Sequence, residues 1–190
     1  MDDAAVLPAR HKLTVDDYHR MGDAGIFTDG ERVELIDGDL IDMAPIGQGH
    51  AAVVSGLNEA LVLACAGRAI VSPQNPVRLD RSSEPQPDLA VLRRRADFYA
   101  SGERPGPADV LLLVEVADTS LRFDRSVKLP LYARAGIAEV WIVDLKRRVL
   151  NAYRAPEGGE YGVMATHRAG EQVALAVAPE IVVRLDLIFG

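Results

Sequence analysis

Two apolar runs that each contain one acid constrain this chain more than anything else in it. The first is Leu89-Ala90-Val91-Leu92, entered directly from Glu84-Pro85-Gln86-Pro87-Asp88. The second is Val110-Leu111-Leu112-Leu113-Val114-Glu115-Val116-Ala117. Both have the length and branched-residue content of buried strands. Asp88 stands at the start of the first and Glu115 inside the second. An acid in so apolar a run is costly to bury unless a cation, a metal or a set of hydrogen-bond donors compensates it. Lys128 follows the second strand in a segment of helical pattern. Two strand-borne carboxylates and an amine can hold a divalent ion and act on a phosphate.

The flanking elements show what would surround those strands. Thr14 caps a short helix with acids in its first turn, ended by Gly22 and Gly25. Asp37-Gly38 lies between two alternating runs and predicts a hairpin over 32–43, with Glu34 in its first strand. His50 opens a predicted helix through Ala66, with Val53, Val54, Leu57, Leu61, Val62 and Cys65 at helical spacing and Gly67 as its stop. Strand pieces at 69–71 and 77–79, interrupted by Pro73 and Pro76, predict an edge strand or a bulge.

Residues 124–136 read as a helix that Pro130 either starts or bends. Strands are expected at 140–144 and 149–154, and short ones near 162–165, 173–177 and 181–185. This order predicts an α/β fold with a central mixed β-sheet flanked by helices. The 190 residues suit a single domain over 1–190, with 1–12 as a loose N-terminal arm.

Charge and motifs narrow the function. A net charge of −7 weighs against tight non-specific binding to nucleic acid, though not against a site where bound metal supplies positive charge. The lone Cys65 forms no internal disulfide and reads as a buried thiol. No apolar run reaches membrane-spanning length and the N-terminus does not read as a signal peptide, so a cytoplasmic protein is expected. No phosphate loop, dinucleotide fingerprint, CxxC pair or HExxH pair occurs. Arg93, Arg94 and Arg95 read as a solvated turn, and Asp144 as a turn cap at a strand end.

Magnesium and manganese favour oxygen ligands, and neighbouring strands run about 4.8 Å apart. Asp88 and Glu115 on adjacent strands could therefore hold Mg²⁺ or Mn²⁺, with Glu34 as a third acid from the hairpin. Lys128 could orient or deprotonate water, or neutralise developing charge. His50 reads either as a first-turn residue or as a neighbour of the site, and Asp124 either as a helix N-cap or as another neighbour.

These pieces carry a resemblance. Pro87-Asp88 followed by Glu115-Val116-Ala117 resembles the PD-(D/E)xK nuclease signature. The whole ordered set resembles the Uma2 family, also known as DUF820. The matching pieces are Glu34-Leu35-Ile36-Asp37-Gly38, His50 opening a helix, Gln86-Pro87-Asp88-Leu89, Val114-Glu115-Val116, Asp124-Arg125, Lys128-Leu129-Pro130-Leu131-Tyr132-Ala133, Gly136 and 139–144. The resemblance implies a restriction-endonuclease-like core and metal-dependent cleavage of DNA phosphodiesters. It implies Asp88 and Glu115 as metal ligands and Glu34 as the additional acid. The signature lysine two residues after the glutamate is replaced by Ala117, and Lys128 stands where related chains supply the amine from the next helix. Fold analogy adds a homodimer supported by the last strands and the Trp141 region. The alternative is a non-catalytic nucleic-acid-binding or protein-interaction module that keeps the fold, which the acidic charge and Ala117 favour.

Overall fold

A computed structural model describes residues 10–28, 30–102, 104–186, 188 and 189. Most of the expected arm at 1–12 lies outside them. Helix α1 (Val15–Asp23) starts from Thr14, whose hydroxyl accepts from the Asp17 N–H while the Asp17 carboxylate accepts from the Thr14 N–H. This reciprocal cap satisfies two donors that a helix start leaves free. Strands β1 (Val33–Ile36) and β2 (Asp39–Asp42) form the predicted hairpin. Asp37 and Gly38 both take positive φ, +47° and +77°. A Cβ on Gly38 would also meet the Lys12 Cβ at 2.8 Å, so glycine is required there for conformation and for space.

Helix α2 (Gln48–Cys65) ends on Ala66 in the left-handed conformation. Strands β3 (Ala69–Pro73), β4 (Leu89–Arg93) and β5 (Val110–Ala117) follow. The helical connection consists of α3 (Leu121–Phe123), a π-helical turn (Asp124–Lys128) and α4 (Leu129–Arg134). Strands β6 (Glu139–Asp144), β7 (Val149–Glu157), β8 (Glu160–His167), β9 (Gln172–Leu175) and β10 (Ala178–Arg184) complete the order.

The central sheet has six strands in the order β3-β4-β5-β6-β7-β8. Only β5 and β6 pair in parallel, so the sheet is mixed and the connection between them must cross over it. Leu57, Leu61 and Cys65 of α2, with Val173, Ile181 and Val183 of the β9–β10 hairpin, pack on one face against Leu89, Val91, Val114 and Val116. Ile36 and Ile41 of the β1–β2 hairpin, with Leu131 and Tyr132 of α4, cover the other face over Ala90, Leu92, Leu113 and Ala117. Side chains alternate along a strand. Glu115 therefore shares the second face with Leu113 and Ala117, and Asp88 shares it with Ala90.

The structure differs from the sequence reading in several places. Residues 77–79 are not a strand: the Val77, Arg78 and Leu79 N–H groups donate to Pro85, Pro105 and Ser83 carbonyls in a loop. Val62 and Leu63 sit on the outer face of α2, 50% and 65% exposed, because the sheet covers only one side of that helix. The last two strands leave the central meander and form a separate hairpin. Trp141 is completely buried and its indole donates to Glu139, so it offers nothing to a partner subunit. Asp124 is not an N-cap, because helical backbone already begins at Leu121.

Candidate active site

Glu115 sits where the register of β4 and β5 ends. Leu89 pairs with Val114, so Asp88 and Glu115 come opposite each other one step further along. Asp88 Oδ2 accepts the Val116 backbone N–H at 2.8 Å and lies 3.1 Å from His50 Nε2. His50 reaches it from the first turn of α2. That hydrogen bond, partly opposed by burial, raises the His50 pKa and favours an imidazolium beside the carboxylate.

Glu34 arrives from β1. Its Oε2 accepts the Gln86 N–H at 3.1 Å, which ties the hairpin to the loop preceding Asp88. Leu35 pairs with Glu84 in an isolated bridge that fixes the same approach.

Lys128 joins Glu34 to Glu115. Its Nζ lies 3.1 Å from Glu34 Oε2 and 3.2 Å from Glu115 Oε1. The ammonium is 4% exposed. Burial pulls its pKa down, but Glu115, Glu34 and Asp124 outweigh burial and hold it above the ordinary lysine value. Tyr132 donates to Glu115 Oε1 at 2.5 Å, and burial keeps its phenol protonated. Burial pushes Glu115 itself up to about 8, against the pull of Lys128, with Asp124, Asp88 and Glu34 adding to the rise. Burial also raises Asp124, whose Oδ2 accepts from Ser120 at 2.7 Å.

The π-helical turn explains how Lys128 gets there. Leu129 N–H reaches back to Asp124 O, one residue beyond the α-helical partner. Pro130 has no N–H to give Ser126, so the regular ladder cannot be kept at this point. The wide turn leaves Asp124 and Lys128 both buried toward the acids. Ala117, where the signature lysine would stand, is 1% exposed in the layer that contains Leu131 and Tyr132.

Glu34, His50, Asp88, Glu115, Asp124 and Lys128 all line one pocket of about 430 Å³. The structure thus brings together every site residue expected from the sequence. Three contributors escaped that reading: the Tyr132 hydroxyl, the Gln86 N–H and Arg32 at the pocket wall. Tyr132 looks like core from its spacing, and a backbone N–H leaves no mark in a sequence. Glu84, buried beside His19 and Arg104, flanks the site without lining the pocket.

The donor set is all carboxylate oxygen, the ligand type of a hard divalent ion. Among the described residues no three His, Cys, Asp or Glu side chains form a ready cage, because Lys128 stands between Glu34 and Glu115. Asp88 Oδ1 and Glu115 Oε2 accept no hydrogen bond from the described residues, which leaves one oxygen of each for an incoming ion.

The Uma2 family model, described as "Putative restriction endonuclease", matches residues 15–187. The chain belongs to the Uma2 family. Its fold is that of a solved relative, the crystal structure of a "putative nuclease belonging to DUF820" from Anabaena variabilis ATCC 29413. The two share 13% identity at a TM-score of 0.71, over 93% of this Uma2 chain and 97% of the other. No curated protein matches the sequence. Among the described residues no helix of this Uma2 protein is long and apolar enough to cross a membrane.

Proposed function

We propose that this chain is a Mg²⁺- or Mn²⁺-dependent endonuclease that hydrolyses DNA phosphodiester bonds. One observation carries the reading: carboxylates from β1, the β4 entry and β5 meet a buried lysine in a single pocket. Asp88 and Glu115 would hold the ion and Glu34 would assist. The ion supplies a water of lowered pKa and positive charge for the phosphate. His50 and the Val116 N–H hold the Asp88 carboxylate in one orientation. Lys128 orients the attacking water and offsets charge developing on the phosphate. Its raised pKa supports that role over proton abstraction, since a held ammonium cannot accept a proton. The proposal includes one domain over 1–190 and a homodimer suited to cutting two strands in the cytoplasm.

Ala117 and the net charge of −7 favour a second reading, a binding module that keeps the fold without turnover. Plasmid nicking in Mg²⁺ or Mn²⁺ separates the two. Wild type should nick, and Asp88→Asn, Glu115→Gln and Lys128→Met should each remove nearly all activity. Nicking that survives all three substitutions would show that the site lies elsewhere.

A further inference from the structure

Arg32 immediately precedes β1, and its carbonyl accepts the Met43 N–H at 2.8 Å, closing the open end of the hairpin. Side chains two apart share one face of an extended strand. Arg32 therefore points with Glu34, and with Ile41 and Met43 across the hairpin, into the pocket that all four line. Its charge reaches His50, whose protonated form it disfavours.

Arg32 forms no ion pair or side-chain hydrogen bond among the described residues. Exposed cations such as Arg81, Arg122 and Arg168 are likewise without an acid partner among the described residues; Arg32 differs in lining a pocket that several carboxylates share. Two of those carboxylates are already held: Glu34 is taken by Lys128 and the Gln86 N–H, and Asp88 by His50 and the Val116 N–H. The guanidinium is left as a planar fork on the wall of a pocket that Asp42 and Asp118 also line without pairing to it. Such a fork matches two non-bridging phosphate oxygens in a way a lysine point charge does not. Met43, Ala44, Pro45, Ile46 and Phe123 give the same pocket an apolar stretch of lining.

We infer that Arg32 is the substrate-positioning residue of this site, gripping a backbone phosphate of the nucleic acid at the pocket mouth. This rests on the phosphodiesterase reading above and adds the group by which an acidic protein grips an anionic strand.

The test uses wild type, Arg32→Gln, Arg32→Lys and Arg168→Gln, the last an exposed cation outside the pocket. Cleavage is followed at steady state in Mg²⁺ or Mn²⁺. Binding of a fluorescent oligodeoxynucleotide in Ca²⁺ is followed by anisotropy across a salt series. Arg32→Gln should raise KM about tenfold to a hundredfold, as loss of a charged hydrogen-bonded contact does, with kcat changed far less. Its log K against log salt slope should fall by about 0.9, the value of one lost phosphate contact on duplex DNA. Arg32→Lys should restore the slope and only part of the affinity. Melting temperatures should stay level, because Arg32 has no side-chain partner to lose among the described residues.

Unchanged KM and slope in Arg32→Gln, with wild type cleaving, overturns the assignment and leaves the nuclease reading intact. Equal changes in Arg168→Gln overturn it as well, since they would show a general charge effect. A folded wild type that neither binds nor cleaves removes both the nuclease reading and this assignment.

Discussion

Glu115 of β5 and Glu139 of the adjacent β6 are both acids buried in the same sheet, yet they occur in opposite circumstances. Glu139 is 0% exposed and saturated. Its Oε1 accepts from the Trp141 indole at 2.7 Å and the Arg154 guanidinium at 2.7 and 2.9 Å, and its Oε2 accepts the Ala176 N–H at 2.5 Å. Through Ala176 it ties the β9–β10 hairpin to the sheet. Glu115 is 4% exposed, receives Lys128 and Tyr132 on one oxygen, and turns toward a pocket. Burial alone does not separate a structural acid from a functional one. The number of donors already committed to it does.

The largest effects should fall on activity. Glu115→Gln should lower nicking by about 10²–10³, the scale of losing one electrostatic contributor to a transition state. Glu139→Gln, assayed per folded molecule, should keep activity within a few fold. Equal losses from the two would abolish the distinction. Stability should respond in the reverse order. Glu139→Ala strands the Trp141 and Ala176 N–H donors and should cost about 3 kcal/mol in a denaturant titration.

Glu115→Gln should instead stabilise the metal-free protein at pH 8. The sign follows from linkage. The Glu115 carboxyl is held at about 8 in the folded state against 4.5 unfolded, so the native state binds the extra proton between those values. Wild-type stability therefore falls as pH rises from 4.5 toward 8, and the glutamine variant escapes that loss. Its melting temperature should exceed that of wild type by roughly 5 °C at pH 8 and match it near pH 4.5. A gap that grows toward low pH would contradict the assigned shift. The smallest effect is metal binding: millimolar Mg²⁺ or Mn²⁺ should raise the wild-type melting temperature by about 2–4 °C and leave Glu115→Gln unmoved. Silence from wild type would remove the metal from the proposal.

Asp88 and Glu115 were legible in the sequence because each breaks an apolar run, and the pairing of their strands followed from those runs. Glu34 and Lys128 were legible through spacing and resemblance, but their meeting depends on how a separate hairpin docks, which no local pattern specifies. Tyr132 was hidden because a tyrosine on the apolar face of a helix looks like packing. Arg32 was hidden because what marks it is the prior commitment of its neighbours, a property of the assembled site. For Asp124 the reading as a site neighbour fits the pocket and the cap reading does not, because Ser-Leu at 120–121 gives little sign that the helical backbone has already begun.

The π-helical turn also bears on how this chain tolerates a change in length. Its five residues, Asp124–Lys128, place Lys128 on the acids by taking up one residue more than an α-helical turn would. Deleting one exposed residue there, such as Ser126, would look harmless in an alignment and would let the helix close into regular register. It would also turn the lysine by roughly 30° relative to Asp124, since three α-helical steps replace four wider π-helical ones, enough to move its ammonium off Glu34 and Glu115. The site is therefore sensitive to the count of residues between Asp124 and Lys128 as well as to their identity.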